Sequence, residues 1–381
     1  MIARSAVPRL ALGLGLLLSA IPVLVGCATA GGSNADRTAV VVSAQGSGGA
    51  CTAAQPCSIS HALAAAQSGG RTAITLRSGN YGNLSLRTGT RHVTFSAAPG
   101  AHPRIGKLDL ERPGTTWRHL TITGGVYLGK TADSTTLDRV HVNGSGVFVH
   151  AKHVVIRSSI IEKGTSIDGI QIGGARDVTI EDSIVRDFGE GQGSQVHTDC
   201  VQLFDSQDIV LRGNYLGRCD NASLIFSPGG GTGNRNVTVE ANQIQGCPVK
   251  SQRCSQGTAL DLRANATDVT VRNNTMLDGS VMVSPSPGLV FDRNIVGYAS
   301  NCAMPMTNSI VVAWNTGICR SPAMLGRDGN RSGTVQVKDR ADGDLTLVDS
   351  SEAIVQASGG RPASEGYDGA TLSADEAGAG G

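Results

Sequence analysis

A short pattern recurs along this chain, in the segments DVTIEDS (177–183), DIVLRGN (208–214), NVTVEAN (236–242) and DVTVRNN (268–274). Apolar, mostly β-branched residues alternate with polar or small ones, which is the period of a β-strand and not of a helix. Seven copies can be aligned on their first apolar residue, and they follow one another at intervals of 20 to 32 residues. The aligned residues are Val154, Val178, Ile209, Val237, Val269, Leu289 and Ile310.

A small polar residue stands five positions after each aligned residue. These seven residues are Ser159, Ser183, Asn214, Asn242, Asn274, Asn294 and Asn315. A constant offset inside a variable period indicates stacked coils with loops of different length, and units this small bury their apolar faces only by stacking. Asn at one corner of every coil can also hydrogen-bond to the Asn above and below it. Independent hairpins with Asn as a turn former are the alternative, but hairpins would not keep the offset. The sequence therefore predicts an all-β parallel β-helix.

The composition agrees with a solenoid and excludes some functions. Glycine accounts for 51 of the 381 residues, and aromatic residues for only 3%, which favours many turns and a core of small and β-branched side chains. The 32 basic and 31 acidic residues nearly cancel, so the basic field of a nucleic-acid-binding protein is absent. A hydrophobic content of 40% also argues against a disordered chain.

The first residues resemble an export signal. Arg4 and Arg9 precede an apolar run that ends in LVGC, residues 24–27, which resembles a bacterial lipobox. We expect residues 1–26 to be a lipoprotein signal peptide, Cys27 to be lipidated, and residues 27–37 to be a flexible tether. The protein would then be exported and anchored to the outer face of the membrane by lipid alone. An ordinary secretory signal, cut near residues 28–30, is the alternative.

The cysteine count is consistent with export. Eight cysteines remain once Cys27 is set aside, and they form four closely spaced pairs. An even number in an exported chain predicts disulfides, although the spacing alone does not fix their connectivity. Zinc is a weak alternative, because no pair has CxxC spacing. The eight residues are Cys51, Cys57, Cys200, Cys219, Cys247, Cys254, Cys302 and Cys319.

Together these features resemble the pectate lyase-like superfamily of right-handed parallel β-helices. The resemblance rests on an opening segment (41–81), the Asn-bearing coils (93–315) and a degenerate closing segment (344–379). It implies a short capping helix at Ser58 to Gln67, and a Gly-rich C-terminal tail that we expect to be disordered. We therefore predict a β-helix domain over residues 38–325, followed by a closing segment and tail over residues 326–381, in a monomeric protein. The superfamily includes lyases, hydrolases and noncatalytic proteins, so the resemblance specifies fold and not activity.

Two neighbouring coils carry a repeated polar motif. SIDGIQI (166–172) is followed by HTDCVQL (197–203), so stacking should place Asp168 beside Asp199 and Gln171 beside Gln202. A third copy is suggested by RCDNASL (218–224), with Asp220 beside Asp199, and Asp261 falls in the column of the two glutamines. The predicted site contains His197, Asp199, Asp220 and Arg218 as catalytic candidates, and Asp168, Gln171, Gln202 and Asp261 as substrate-binding candidates.

These residue types suit two reactions on polysaccharides. A lyase needs a base and a charge that stabilises an enolate; Arg218 or His197 would be the base, and Asp168, Asp199 and Asp220 would hold Ca²⁺. A glycoside hydrolase needs one protonated and one ionised carboxyl group, for which Asp199 with Asp261 or Asp220 would serve. The pattern departs from the known lyase and polygalacturonase signatures, so no mechanism carries over from the superfamily.

A noncatalytic surface protein that binds glycans, or serves as a scaffold, is the other function left open. A β-helix face lined with amide and hydroxyl groups can hold a glycan without cleaving it, with Tyr215 and Phe204 as local aromatic candidates. Asp168, followed by Gly169, also fits a simple turn former. Asp199 and His197 share the inward parity of Val201, so they would reach solvent only at a corner before the strand.

Overall fold

The computed structural model describes residues 40–70, 72–193, 196–251, 253–263, 265–314 and 328–348. All of them lie in the compact unit Thr38–Gly381. The predicted signal peptide, tether and C-terminal tail fall outside the described residues, as do Cys27, Asn315 and Cys319. Within the described part of the chain, no helix has the length and apolar character needed to cross a membrane.

The described residues form one α-helix and 33 β-strands. In chain order they are β1 (Val40–Val42), α1 (Ile59–Gly69), β2 (Ala73–Leu76), β3 (Gly79–Asn80), β4 (Leu84–Leu86), β5 (Val93–Ala97), β6 (Pro103–Ile105), β7 (Leu108–Leu110), β8 (Thr115–Arg118), β9 (Thr121–Ile122), β10 (Val126–Leu128), β11 (Thr135–Asp138), β12 (His141–Asn143), β13 (Val147–Val149), β14 (Lys152–Arg157), β15 (Ile160–Glu162), β16 (Ile170–Gly173), β17 (Arg176–Glu181), β18 (Ile184–Arg186), β19 (Asp199–Phe204), β20 (Gln207–Arg212), β21 (Tyr215–Gly217), β22 (Ala222–Phe226), β23 (Asn234–Glu240), β24 (Gln243–Gln245), β25 (Thr258–Leu262), β26 (Ala266–Arg272), β27 (Thr275–Val283), β28 (Val290–Asp292), β29 (Ile295–Ala299), β30 (Ile310–Trp314), β31 (Arg331–Ser332), β32 (Val337–Asp339) and β33 (Asp344–Leu347).

The strands stack into three parallel sheets, because each coil adds one strand to each sheet in turn. Sheet 1 comprises β1, β2, β5, β8, β11, β14, β17, β20, β23, β26 and β28. Sheet 2 runs from β3 through β6, β9, β12, β15, β18, β21 and β24, and sheet 3 runs from β4 through β7, β10, β13, β16, β19, β22 and β25. The long strand β27 joins sheets 2 and 3, and β29 and β30 extend both. The predicted all-β parallel β-helix is confirmed.

The repeated corner residues form a buried hydrogen-bond ladder. The backbone N–H of Asn214 donates to Oδ1 of Asn242 at 2.9 Å, and that of Asn242 donates to Oδ1 of Asn274 at 3.0 Å. Each Asn also donates from Nδ2 to a backbone carbonyl, so no polar atom of the ladder is left without a partner. This corner column therefore fixes the stacking of the coils, as the constant offset predicts.

The last rung differs from the prediction. The backbone N–H of Asn294 donates to the hydroxyl of Ser309, and Ser309 donates in turn to Asn330. Ile310 pairs with Ile295 in sheet 2 and does not begin a strand of sheet 1. The alignment of Ile310 with the other copies was therefore wrong, because this coil takes only 15 residues from Asn294 to the corner residue Ser309 and has, in place of a sheet 1 strand, a single bridge from Thr307 to Asp292. The pairing of coils continues to β31, past residue 325.

A helix covers the start of the solenoid, and a strand pair covers part of the outer face of sheet 2. At the start, α1 is capped by the Ser58 hydroxyl, which accepts from the His61 N–H, and it buries Ile59, Ala62 and Ala66 against the first coils. Near the other end, β32 and β33 form an antiparallel pair whose Leu345 and Leu347 pack against Ile310 and neighbouring apolar residues. The helix lies where the resemblance implied.

Three disulfides join Cys51 to Cys57, Cys200 to Cys219, and Cys247 to Cys254. Each joins two cysteines that follow one another in the order of the sequence, a connectivity that the spacing alone had left open. Cys302 is also disulfide-bonded. The predicted disulfide character of these cysteines is therefore confirmed for the described residues.

Candidate functional site

The two copies of the polar motif stack in register on the neighbouring strands β16 and β19 of sheet 3. Ile170 pairs with Val201, and Gln171 pairs with Gln202. The backbone N–H of Asp199 donates to Oδ1 of Asp168 at 2.9 Å, and Nε2 of Gln171 donates to Oε1 of Gln202 at 2.7 Å. The predicted stacking of the two motifs is confirmed, and their side chains form one hydrogen-bonded cluster.

Asp199 is the most perturbed acid of this cluster. Its exposed fraction is only 1%, because it starts β19 on the inward parity. Burial, the negative charge of Asp168 and that of Asp261 together raise the pKa of Asp199 to about 7, against hydrogen bonds from Asn221 and the Ala222 amide. The Asn221 side chain donates to Oδ1 of Asp199 at 2.8 Å. Asp199 can therefore hold a proton close to neutral pH.

Asp168 is buried beside Asp199, and its carboxylate accepts the hydrogen bond from the Asp199 backbone amide. Burial raises the pKa of Asp168, while the amide of Asp199, the side chain of Gln171 and the charge of His197 act in the opposite direction. His197 itself is exposed at the corner before β19. The side chains of Asp168 and His197 are thus close enough to interact electrostatically.

Asp261 lies in the predicted column of glutamines. Gln202 pairs with Ile225, and Ile225 pairs with Asp261 in the next coil. The guanidinium of Arg263 donates to both oxygens of Asp261, at 2.8 and 2.6 Å, and this contact raises the pKa of Arg263. Asp261 therefore provides a carboxylate with a fixed counter-charge at the edge of the cluster.

The third copy of the motif is out of the predicted register. Asp199 pairs with Ala222 and not with Asp220. A shift of two residues keeps every apolar side chain on the same face, so sequence alternation could not distinguish the two registers. Oδ1 of Asp220 accepts from the Ser255 N–H at 2.7 Å. Asp220 thus holds the loop that contains the Cys247–Cys254 disulfide and does not stack on Asp199.

Arg218 is engaged elsewhere. Its Nε and Nη2 donate to the two carboxylate oxygens of Asp187, at 2.7 and 3.1 Å, and Asp187 directly follows strand β18 of sheet 2. Burial is the largest single influence and lowers the pKa of Arg218, but the hydrogen bond to Asp187 together with the charges of Tyr215, Asp187 and Asp342 outweighs it, and the pKa is raised. Such a guanidinium is held in its charged form, which opposes the predicted role as a base.

The aspartates do not form a calcium site. Asp220 faces Ser255, and Oδ1 of Asp168 is bonded to a backbone amide. Over the ranges that the structure describes, no three His, Cys, Asp or Glu side chains are grouped so that they could hold a metal ion. The donor set predicted for Ca²⁺ therefore does not fit that ion.

A continuous outward column runs along sheet 3 and includes the two glutamines. Strand pairing places its members in register, one in each of six successive coils. All but the last are half-buried, with one side open to solvent. We call this column the sheet-3 stripe: Tyr127, Phe148, Gln171, Gln202, Ile225 and Asp261.

A second column flanks the stripe. The ring of Phe204 lies over Gly173, since a Cβ at that glycine would stand 2.1 Å from its Cζ. Nε2 of Gln202 donates to the Ser227 hydroxyl at 3.0 Å, which links the stripe to this column. The ring of His150 lies 5.5 Å from that of Tyr127. The face thus combines aromatic rings with amide and hydroxyl groups.

Sequence reasoning missed Tyr127, Phe148 and His150. The coils that carry them show only weak copies of the repeat, and the search for aromatics stayed near the Asp motif. The signal was an aromatic residue at the outward position of two short strands, VYL (126–128) and VFV (147–149). The suggestion of Tyr215 was wrong: it is 3% exposed, and its hydroxyl donates to Gln245 at 2.6 Å.

Comparisons with solved structures give distant likenesses. The pectate lyase Pel9A is 12% identical with a TM-score of 0.43, over 89% of this chain and 88% of that one. The Streptococcus pneumoniae surface protein and adhesin PfbA is 11% identical with a TM-score of 0.45, over 66% and 80%. A GH87 α-1,3-glucanase catalytic domain is 12% identical with a TM-score of 0.38, over 80% and 70%.

No curated protein matches the sequence significantly. A family model described as the right-handed β-helix region matches residues 124–318. That segment is slightly more than half of the 381 residues, and it includes most of the Asn ladder and the sheet-3 stripe. Its family agrees with the three-sheet parallel stacking observed here. The chain therefore belongs to the family of right-handed β-helix proteins.

Proposed function

We propose that this protein binds an extracellular polysaccharide along the sheet-3 stripe. The observation that carries the proposal is the in-register run from Tyr127 through Phe148 to Gln171 and Gln202. Aromatic faces stack on apolar sugar faces, and amide groups can both donate and accept hydrogen bonds with sugar hydroxyls. At about 4.8 Å per coil, six coils span about 24 Å. This length suits a polymer better than a single sugar.

The hydrogen-bonded amides make the surface pre-organised. Gln171 is held by Asp168 at 3.1 Å and by Gln202 at 2.7 Å, and Gln202 is held by Ser227. Side chains that are already fixed lose little rotamer entropy when a ligand binds. On this view the Asp168–Asp199 cluster supports the glutamines from behind and does not itself contact the sugar.

The binding proposal is tested with the region from Ala28 onward and a panel of neutral and uronate-containing polysaccharides. Affinity gel electrophoresis identifies a ligand, and titration calorimetry measures its affinity. We expect Phe148→Ala and Gln202→Ala each to weaken binding about 2- to 10-fold. Tyr298→Ala, at a half-buried aromatic residue outside the stripe, is the matched control. Binding that survives both stripe substitutions would contradict the proposal.

A second function, glycoside hydrolysis, is favoured by the pKa of Asp199. A carboxyl group with a pKa of about 7 can donate its proton to a glycosidic oxygen, and Asp261 would supply the ionised carboxylate. The near-complete burial of Asp199 opposes this function, because the acid must touch the sugar. A lyase reaction has weaker support, since the guanidinium of Arg218 is engaged by Asp187.

The two functions give different results on the same panel. New reducing ends that disappear in Asp199→Asn, while affinity is retained, would establish a hydrolase. Ultraviolet absorbance of unsaturated uronate would establish a lyase, with His197 as the remaining candidate base. Binding without either product is the result expected for the primary proposal.

We also propose that the protein is exported and held at the cell surface through lipid on Cys27. The disulfides among the described residues support an oxidising compartment, and the LVGC sequence supports lipidation. Cys27→Ala should release the full-length protein from the membrane fraction of producing cells. Mass spectrometry of the mature N-terminus distinguishes the lipidated cysteine from an ordinary cleavage near residues 28–30.

A further inference from the structure

A cavity of about 600 Å³ lies between the capping helix α1 and strand β4, at the N-terminal end of the solenoid. Its helix side includes Ile59, Leu63 and Gln67, and its strand side includes Leu86 and Arg112. The size is within the usual range for small-molecule sites. The cavity lies several coils before the Asp168–Asp199 cluster and shares no residue with the sheet-3 stripe.

Arg112 is a buried cation, and no acidic side chain of the described residues pairs with it. It is 1% exposed, and its Nη2 donates to the backbone carbonyl of Arg91. Its Nε and Nη1 are buried, and among the described residues neither has a hydrogen-bond partner. Burial lowers the pKa of Arg112 and is the only cause of that shift. A charged group in this condition is costly for the fold unless something else compensates it.

Gln67 adds a second unused donor at the same place. Its Nε2 is buried and likewise has no partner among the described residues. Gly89 packs against both groups: a Cβ there would stand 2.7 Å from Nε2 of Gln67 and 3.1 Å from Cζ of Arg112. Gly89 has a φ of 108°, in the region that favours glycine. Nε2 of Gln67 and the guanidinium of Arg112 therefore lie close together beside Gly89, which has no side chain.

The rest of the lining determines the sign and shape of a ligand. No acidic residue is among the described residues that line the cavity. The other cation, Arg87, is mostly exposed and already paired with Asp109 at 2.9 Å. Leucine, isoleucine and alanine residues form the apolar part of the wall, and serine, threonine, asparagine and tyrosine residues form the uncharged polar part. A compact anion with an apolar or sugar-like body matches these walls.

We propose that this cavity binds a small organic carboxylate, with Arg112 as the counter-charge and Gln67 as a second donor. The guanidinium of Arg112 supplies the positive charge, and its Nη1 and the Nε2 of Gln67, neither of which has a partner among the described residues, can each donate to one oxygen of a carboxylate. The carboxylate can come from a free sugar acid or from the terminal uronate of a longer chain, and both present the same group. This site is independent of the proposed polysaccharide surface.

The test is titration calorimetry of the soluble protein, from Ala28 onward, with three probes. D-glucuronate is the carboxylate, glucose is its uncharged match, and sulfate is an inorganic anion. We expect glucuronate to bind and glucose not to bind. Sulfate binding equal to that of glucuronate would overturn the carboxylate assignment. A glucuronate-terminated oligosaccharide that binds at least as tightly as the monomer would identify a chain end as the source, and weaker binding would identify the free acid.

Substitutions of Arg112 and Gln67 distinguish a ligand-binding role of Arg112 from a purely structural one. Arg112→Met should reduce glucuronate affinity at least tenfold and leave the melting temperature of the free protein unchanged or higher, because a buried unpaired charge is removed. Gln67→Leu should weaken glucuronate binding with little effect on stability. This variant provides the test of binding if Arg112→Met fails to fold. Arg104→Met, at an exposed arginine outside the cavity, is the matched control. Unchanged affinity in Arg112→Met or Gln67→Leu, or no glucuronate binding by the wild type, would overturn the proposal.

Discussion

The backbone amide of Asp199 donates a 2.9 Å hydrogen bond to Oδ1 of Asp168 in the preceding coil. This bond holds two carboxyl groups on adjacent rungs of the solenoid, in a nearly buried position. Because both cannot easily be ionised there, one of them retains its proton near neutral pH. The same contact stabilises the corner of the solenoid and contributes to the raised pKa of Asp199.

The stability of the protein should therefore depend on Asp199 between pH 4 and 7. The pKa of Asp199 is about 7 in the folded state and about 3.9 in an unfolded chain, so only the folded state keeps the proton in this window. The free energy of unfolding that proton binding to Asp199 adds is fully present below pH 4. It falls as the pH rises towards 7, by at most about 1.4 kcal/mol per pH unit. Above pH 7 no further change comes from this group.

Urea unfolding at a series of pH values checks this dependence. The informative quantity is the difference in unfolding free energy between the wild type and Asp199→Asn, which removes the proton equilibrium at this position. We expect that difference to shift steadily in favour of the variant from pH 4.5 to 7. A pH-independent difference would mean that Asp199 is ionised in the folded state like an ordinary aspartate.

The Asn ladder should be a major contributor to stability. Asn242 is fully buried, accepts from the Asn214 amide, and donates to the Leu211 carbonyl and to Asn274. Asn242→Ala leaves these buried groups without partners and should cost about 2–4 kcal/mol. Asn242→Ser should cost less, because serine fills the same column at Ser183. Denaturant unfolding measures both, and equal losses in the two variants would contradict the hydrogen-bond explanation.

The disulfide between Cys200 and Cys219 should stabilise more than the one between Cys51 and Cys57. The first closes a separation of 19 residues and the second one of 6. Chain-entropy arguments give about 3 and about 2 kcal/mol respectively. Paired Cys→Ala variants measured by denaturant unfolding test the order, and a reversed order would show that packing around the sulfurs dominates.

Gly173→Ala should disturb the aromatic face with little effect on the fold. The new Cβ would overlap the far end of the Phe204 ring, so the ring must swing away. We expect a loss of polysaccharide affinity similar to that of Phe204→Ala, and a stability loss below about 2 kcal/mol. Calorimetry and thermal unfolding measure the two effects. Unchanged affinity in both variants would remove Phe204 from the binding surface.

Part of the site followed from the sequence because it repeats with the coil. Asp168 and Asp199 stand at the same offset before aligned strands, as do Gln171 and Gln202, so stacking alone brought them together. The ladder from Ser183 through Asn214 to Asn274 is predictable for the same reason. Periodic alternation and a fixed offset are local properties, and a solenoid converts them directly into neighbours.

The remainder depends on corner lengths, which the alternation does not encode. Asp220 lies two residues away from its predicted register, and Arg218 is bound to Asp187, which directly follows strand β18. Either register buries the same apolar residues, so only the folded corner distinguishes them.

By itself, the sequence determined the parallel β-helix, its Asn ladder and the stacking of the two Asp-Gln motifs, because each coil must bury its apolar side on the next. The tertiary structure alone decided the proton affinity of Asp199, the alignment of Tyr127 and Phe148 with the two glutamines, and the burial of the Arg112 guanidinium, two of whose nitrogens have no partner among the described residues. These features arise from burial and from contacts between distant segments, which no single repeat contains.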